Sequence, residues 1–169
     1  EEFLAAVPAY ANFKFHPANG NTVSYTIGNV TDVPLMRVEE MYFIEAEATA
    51  HYDEGAARNL LTTFMANRDS NYNCFRTGEE VLNEIIAQKA LEHWGEGIVM
   101  YDMKRLDMGV KCGFKGTNYY VEGRHNSDGR LPWWNYCIPQ GELERNEGIT
   151  FNNPDPSESL KPVQDSELQ

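Results

Sequence analysis

Residues 77–109 read TGEEVLNEIIAQKALEHWGEGIVMYDMKRLDMG and form the stretch that decides the fold. Thr77 can cap free backbone N–H groups, and acidic side chains in the next turn suit the positive end of a helix dipole. Apolar residues then recur at every fourth position, which places one apolar stripe along a helix. The members of this stripe are Leu82, Ile86, Ala90 and Trp94, with Ile85 beside them. The pattern predicts a helix that packs through this stripe.

Two glycines interrupt the helical pattern. Gly95 and Gly97 occur without a proline, so we expect the chain to bend there rather than to stop. A second amphipathic run follows over residues 98–106, with Asp102, Lys104 and Arg105 on its polar side. The sequence therefore predicts two packed helices joined by a glycine elbow.

A second helical stretch, residues 31–50, reads TDVPLMRVEEMYFIEAEATA. We predict a helix over residues 34–52, and because its residues are apolar nearly all round, we expect burial on several sides. Glu47 lies between two alanines in this helix. A buried acid without a partner is costly, so we expect Glu47 to pair with Arg37 or with a base on the following helix rather than to act in acid–base catalysis.

Residues 56–68 predict the helix that packs against this one. Their apolar positions have the 3.6-residue period of an amphipathic helix. These positions are Ala57, Leu60, Leu61, Phe64 and Met65. Small residues at Ala46, Ala50 and Ala57 permit close helix approach, as in tetratricopeptide-like hairpins. A repeat of about 34 residues is not sustained along the chain.

The other segments predict minor β structure and long loops. Residues 10–15 and 23–27 have short strand patterns, and residues 111–130 read as a surface loop with one strand. Trp133 and Trp134 fall on a further short strand. Residues 154–169 are rich in proline, serine and acids, which predicts a loose tail. The expected fold class is mainly α, with tetratricopeptide-like helical hairpins, minor strands and long loops.

Composition excludes several classes of partner. The chain has 169 residues, 41% of them hydrophobic, which suits one domain with a real core. Its net charge of −12 argues against binding nucleic acid or an anionic lipid surface. Apolar runs stay well short of the ~20 residues that a membrane span needs.

The residues that usually carry catalysis or metal binding are scattered. The four histidines, His16, His51, His93 and His125, stand far apart. Cys74, Cys112 and Cys137 are odd in number and lack CxxC spacing, although one disulfide between two of them is possible. Glycine-rich phosphate loops and nucleophile elbows do not occur. We therefore predict a protein that is not an enzyme and that uses no metal or cofactor.

The motifs quoted above resemble those of SusD/RagB-type outer-membrane nutrient-binding lipoproteins. In the organising stretch the matching residues are Gln88, Lys89, Leu91, Glu92, Glu96, Gly97, Tyr101, Asp102, Lys104 and Arg105. In the second helical stretch they are Thr31, Asp32, Pro34, Leu35, Arg37, Glu40, Tyr42, Ala46, Glu47 and Ala48. Ile98 and Val99 depart from the His-Arg that the family often has after its Glu-Gly pair.

A third match closes the chain and extends the resemblance over about residues 10–152. Its residues are Ile138, Pro139, Gln140, Glu142, Leu143, Asn146, Ile149, Thr150 and Asn152. The resemblance implies that residues 1–153 are the C-terminal part of a SusD/RagB-like protein whose N-terminal half is missing. It also implies a cell-surface protein, held at the outer membrane by a lipid on the missing N-terminus. Such a protein captures a glycan or other nutrient and delivers it to a SusC-type TonB-dependent transporter.

Residues 118–134 contain the groups that a sugar ligand needs. Sugars stack their flat C–H faces on aromatic rings, and their hydroxyls bond to amides, carboxylates and arginine. The candidate ligand-binding residues are Asn118, Tyr119, Tyr120, Asn126, Asp128, Arg130, Trp133 and Trp134. We expect at least one tryptophan to pack instead, and in the family much of the ligand surface precedes this region. The alternative function is a helical protein–protein scaffold without a small ligand.

Overall fold

The computed structural model describes residues 14–15, 34–153 and 160–168. Helices dominate this part of the chain. They are α1 (Val38–Ala50), α2 (Glu54–Met65), α3 (Glu79–Glu92), α4 (Ile98–Arg105) and α5 (Gln140–Leu143), with 3-10 turns at Val121–Gly123, Pro132–Trp134 and Asp165–Glu167. The mainly α prediction is confirmed. The chain divides into two compact units, residues 1–96 and 97–169.

The first unit is built on the hairpin of α1 and α2. Asp53 ends the connection, because its side chain accepts a 2.9 Å hydrogen bond from the Ala56 N–H and so caps α2. Ala46 and Ala57 are both buried where the helices meet, as the small residues predicted. The predicted stripe of α2 is also confirmed, since Leu61 is buried and its apolar neighbours pack against the same core.

Helix α1 is less buried than its composition suggested. It begins at Val38 rather than at residue 34, and its buried side chains are Phe43, Ala46, Glu47 and Thr49. Met41, Tyr42 and Ile44 remain roughly half exposed. The prediction of burial on several sides is therefore wrong for this chain, because α1 packs through one face against α2 and α3.

The buried face of helix α3 coincides only in part with the one predicted. Its N-cap is Gly78, with a φ of 61°, and Thr77 makes no capping bond. Ile85 and Ile86 of the predicted stripe are buried, but Val81 and Lys89 are buried with them, and Trp94 of the stripe is 52% exposed. The face is turned by about one residue because Lys89 is buried despite its charge, with its ammonium group 3.8 Å from a Glu40 carboxylate. The hydrophobic pattern of the sequence does not predict that a lysine is buried here.

The glycine elbow is confirmed. Gly95 and Gly97 have positive φ values of 75° and 83°, and they separate the end of α3 from the start of α4. A Cβ atom at Gly95 would lie 2.5 Å from Cε2 of Phe15, so the ring occupies the space that a side chain needs. On α4 the polar face was assigned wrongly in one respect. Asp102 is buried, and it accepts a 2.8 Å hydrogen bond from Arg105.

The loop over residues 110–127 is ordered by backbone pairing rather than by a strand. An isolated bridge joins Lys111 and Asn126, and the Asn126 side-chain amide also pairs with both backbone groups of Gly113, at 2.9 and 2.8 Å. The described residues contain no named strand. The strand predicted at Trp133 and Trp134 is wrong, since these residues form a 3-10 turn.

The segment over residues 138–152 is held in the same way, by a side-chain amide that pairs with both backbone groups of one residue. The Asn152 side chain accepts from the Ile138 N–H at 2.7 Å and donates to the Ile138 carbonyl at 3.3 Å. Two residues near the chain end, Val163 and Asp165, contact Arg124. The Val163 N–H donates to the Arg124 carbonyl at 2.7 Å, and the Arg124 guanidinium pairs with Asp165.

Some predictions fall on other parts of the chain. The strands predicted at residues 10–15 and 23–27 lie outside the described residues, apart from residues 14–15, which form a turn.

All three cysteines are free thiols. Among the helices described, each is too short or too polar to cross a bilayer.

Candidate ligand-binding site

Two polar arrangements stand out, and the first is a charged cluster in the first unit. Arg37 donates to Glu92 at 2.9 Å and to Glu96 at 3.2 Å, and Arg68 donates to Glu92 at 2.9 Å. The buried His93 ring lies 2.8 Å from Glu96 through its Nδ1 atom. Arg37 therefore pairs with Glu92 and Glu96, and not with Glu47, which the sequence had suggested as a partner.

Internal ion pairs explain the electrostatics of this cluster. The hydrogen bond from Arg68, together with that from Arg37, lowers the pKa of Glu92 to about 2 despite partial burial. Burial raises the pKa of Glu96, but hydrogen bonds from Lys14, His93 and Arg37 outweigh it and lower the pKa to about 2. Both carboxylates are saturated by cations of the same unit, so the cluster ties the unit together and does not form an open site.

The second arrangement is a cavity of about 420 Å³ in the second unit. Helix α4 supplies Tyr101 and Lys104, while Trp134 ends the 3-10 turn and Asn135 and Tyr136 follow it. Gly97, Met100 and Asn153 complete the lining. Tyr101 and Tyr136 are 75% and 84% exposed, so their ring faces are open to solvent. The cavity is thus bordered by aromatic rings.

Hydrogen bonds fix the walls of this cavity. Lys104 Nζ donates to the Trp134 carbonyl at 3.0 Å, and the Asn153 amide donates to the Tyr136 carbonyl at 2.7 Å. The exposed Asn135 side-chain amide makes no hydrogen bond to the described part of the chain. The cavity therefore offers aromatic faces, an amide that retains its hydrogen-bonding capacity and a positively charged amine.

The two predicted tryptophans have different surroundings. Trp134 lines the cavity. Trp133 packs edge-to-face against His125, with ring centroids 4.6 Å apart. One ring therefore packs and the other borders the cavity.

Three other predicted site residues have partners within the chain. Asn126 brackets Gly113 with both groups of its amide. Asp128 pairs with Lys111 at 2.8 Å, and Arg130 pairs with Asp107 at 3.2 Å. These last two ion pairs are exposed, so a ligand could replace one partner of either pair at a small cost in free energy.

The remaining predicted residues lie on the surface. Asn118, Tyr119 and Tyr120 are exposed, and Tyr120 is 78% exposed. None of the three lines the cavity around Trp134. The Tyr119 backbone is held, because Arg124 Nε donates to its carbonyl at 2.7 Å.

Sequence reasoning missed Tyr101, Lys104, Asn135 and Tyr136 as a group. A weak signal existed for the α4 pair, since Tyr101 and Lys104 are three residues apart and so share a helix face. Asn135 and Tyr136 follow the tryptophan pair directly. Because a strand was predicted there, nothing in the sequence indicated that these residues lie beside α4. Within the described residues, histidine, cysteine and acidic side chains form no group suited to a metal ion.

Comparisons with known proteins now place the chain in a family. Residues 8–155 match the model of the SusD family. Among solved structures, a SusD-like carbohydrate binding protein from Bacteroides vulgatus ATCC 8482 is 24% identical, with a TM-score of 0.46. The match covers 83% of this chain and 28% of that one, so the chain spans well under half of that protein. A comparison with curated proteins finds no match. The family match covers most of the sequence, and the chain belongs to the SusD family.

Proposed function

We propose that this chain is part of a glycan-binding protein of the cell surface and that the Trp134 cavity contributes to its ligand site. The observation that carries the proposal is the cavity itself: exposed Tyr101 and Tyr136 rings flank Trp134 beside an uncommitted amide. Membership of the SusD family supports the proposal, because the family implies capture of a glycan or similar nutrient. No catalytic step is proposed.

The chemistry of the cavity suits a sugar. The axial C–H groups of a sugar ring stack on the faces of tyrosine and tryptophan. Asn135 can donate to one hydroxyl and accept from another, and Lys104 retains donors beyond the one that Trp134 accepts. Each neutral contact of this kind is worth on the order of 1 kcal/mol, so several are needed for useful affinity.

The whole protein's place in the cell is also a proposal. Family membership supports a lipid anchor outside this chain, a position at the outer membrane and delivery of the glycan to a SusC-type TonB-dependent transporter. The alternative is a helical scaffold that binds another protein and no sugar. Leu35 and Met36 favour it, because these apolar side chains are 87% and 81% exposed.

Calorimetry with the full-length protein tests the proposal. The probe is a panel of neutral oligosaccharides of glucose, xylose, mannose and galactose, in α and β linkages. We expect at least one to bind, and we expect Tyr101→Ala with Tyr136→Ala to weaken its binding at the cavity about tenfold or more. A matched control is Phe114→Ala with Phe151→Ala, which removes two exposed rings outside the Trp134 cavity.

Two outcomes would contradict the proposal. Equal affinity in the Tyr101/Tyr136 variant and the control would remove the cavity from the site. Absence of binding across the panel, combined with co-purification of another protein, would favour the scaffold.

A further inference from the structure

A larger cavity lies in the first unit, along the groove between α1 and α2. Its volume is about 830 Å³, and it is open to solvent. Tyr42, Thr49 and Tyr52 line the α1 side, while Leu60 and Phe64 line the α2 side. The charged cluster and the buried core described above leave most of these groups unexplained.

Helix α2 presents a polar row along the groove. Asn59 and Thr63 are four residues apart on one face of α2. Asn67 follows in the turn just after the helix, where its amide donates to the Phe64 carbonyl at 2.9 Å. All three are exposed. Leu60 and Phe64 form a parallel apolar row beside them. The α2 side of the groove therefore carries a polar row and an apolar row side by side.

The aromatic rings of the groove are held in place. Phe64 packs edge-to-face on the buried Phe43, with ring centroids 4.9 Å apart, and Tyr42 lies 5.6 Å from Phe64. Tyr42 is 51% exposed and Tyr52 is 80% exposed. Arg68 covers another part of Phe64, with its guanidinium carbon 5.5 Å from the ring centroid. The Phe64 ring is thus fixed by the core and supports Tyr42, while the Tyr52 ring is largely exposed.

Several polar groups of the groove have no partner among the described residues. These are the Asn59 amide, the Thr63 hydroxyl and Nη1 of Arg68, whose Nε and Nη2 atoms bond to Glu92. Water satisfies such groups when the groove is empty, but their alignment with exposed rings matches what a chain of sugars requires.

The charge of the unit restricts the ligand. Residues 1–96 contain 15 aspartate and glutamate residues against 6 lysine and arginine residues. An anionic polysaccharide would be repelled by this surplus. We propose that the α1–α2 groove is a second binding site, separate from the Trp134 cavity, for a neutral oligosaccharide chain; this rests on the proposed function of glycan binding.

The test uses the full-length protein and the same panel of neutral oligosaccharides, followed by calorimetry. Tyr52→Ala with Asn59→Ala removes one ring and one amide from the groove. Both side chains are exposed, so folding should be preserved. A matched control is Phe75→Ala with Asn83→Ala, which removes an exposed ring and an exposed amide outside the groove. The groove pair is also combined with Tyr101→Ala and Tyr136→Ala.

The expected result is a residual binding event in the Tyr101/Tyr136 variant that weakens about tenfold when Tyr52 and Asn59 are also replaced. The control pair should leave it unchanged. An oligosaccharide carrying uronic acids should bind the groove less well than its neutral counterpart.

Three results would overturn the inference, and they separate it from the proposed function. Residual binding that survives loss of Tyr52 and Asn59 shows that glycan binds elsewhere, with the proposed function intact. Unchanged glycan binding together with lost co-purification of the transporter makes the groove a protein interface. Absence of any glycan binding by the unmodified protein overturns both proposals.

Discussion

Glu92 is the residue on which the first unit depends most. Its carboxylate bonds to Arg37 before α1 and to Arg68 after α2, and it lies at the end of α3. One side chain therefore joins the three helices of the unit. Removing one partner of a partly buried ion pair lowers the free energy of unfolding by more than the intact pair contributes, because the remaining charges are left without an opposite charge.

Glu92→Gln should accordingly lower the stability of the protein. The substitution keeps the shape but leaves Arg37 and Arg68 close together without the carboxylate charge. We expect a loss of roughly 2–4 kcal/mol, measured by urea unfolding. Glu80→Gln is the matched control on the same helix, since Glu80 pairs with Arg76 at 3.7 Å on the exposed surface. Equal losses in both variants would show that Glu92 has no special role.

The same cluster predicts the acid sensitivity of the fold. Glu92 and Glu96 each have a pKa of about 2 in the folded state, against an ordinary value of 4.5. A depressed folded pKa gives stability that is present above the unfolded pKa and is lost as the pH falls through the folded one. Stability should therefore fall steeply between pH 4.5 and about pH 2, as followed by circular dichroism. The Glu92→Gln variant should lose less over that range, and an identical profile would contradict the assignment.

At the scale of elements, the elbow between α3 and α4 depends on backbone conformation. Gly97 has a φ of 83° and precedes α4, and a Cβ atom there would meet nothing within 4 Å. A substitution at Gly97 is therefore opposed by backbone strain rather than by a clash.

Gly97→Ala should destabilise the protein by about 1–2 kcal/mol, the cost of a left-handed conformation for a residue with a Cβ atom. Gly141→Ala provides the comparison. Gly141 is also without close neighbours but lies inside α5 at an ordinary φ, so alanine there should be neutral or stabilising. Equal thermal unfolding curves for the two variants would mean that the elbow has ordinary helical geometry.

The elements also show what periodicity can and cannot predict. The α1–α2 hairpin followed from its apolar stripe and small residues, since those positions are buried because they are apolar. The buried face of α3 was displaced because Lys89 is polar and yet buried, with its ammonium group 3.8 Å from Glu40 of α1. His93 is also polar and buried, and its ring lies 2.8 Å from Glu96 just beyond the helix. Asp102, which was assigned to the polar face, is buried and pairs with Arg105 of the same helix. Pairing between residues distant in sequence is not written in the local pattern.

At the scale of the whole molecule, candidate binding residues were predictable by type and less so by position. Trp134, a predicted site residue, borders the cavity, whereas the α4 residues that line the cavity with it lie thirty or more positions earlier in the sequence. Rings and amides cluster in the sequence of residues 118–134, whereas the cavity is assembled by the fold. The Tyr119 and Tyr120 rings remain a separate prediction.

Tyr119→Ala with Tyr120→Ala, in the full-length protein, tests that prediction. Both rings are exposed, so the variant should unfold cooperatively at nearly unchanged temperature. If the pair forms a stacking platform, glycan affinity falls several-fold by calorimetry while the proposed SusC-type transporter still co-purifies. Preserved affinity with lost co-purification would instead make this loop an interface with the transporter.

The most direct test of glycan binding by this chain is a crystal structure of the full-length protein with the best-binding neutral oligosaccharide. We predict sugar rings stacked on Tyr101, Trp134 or Tyr136, with a hydroxyl within hydrogen-bonding distance of the Asn135 amide. An oligosaccharide bound wholly through residues outside this chain, with the Trp134 cavity empty, would contradict the account.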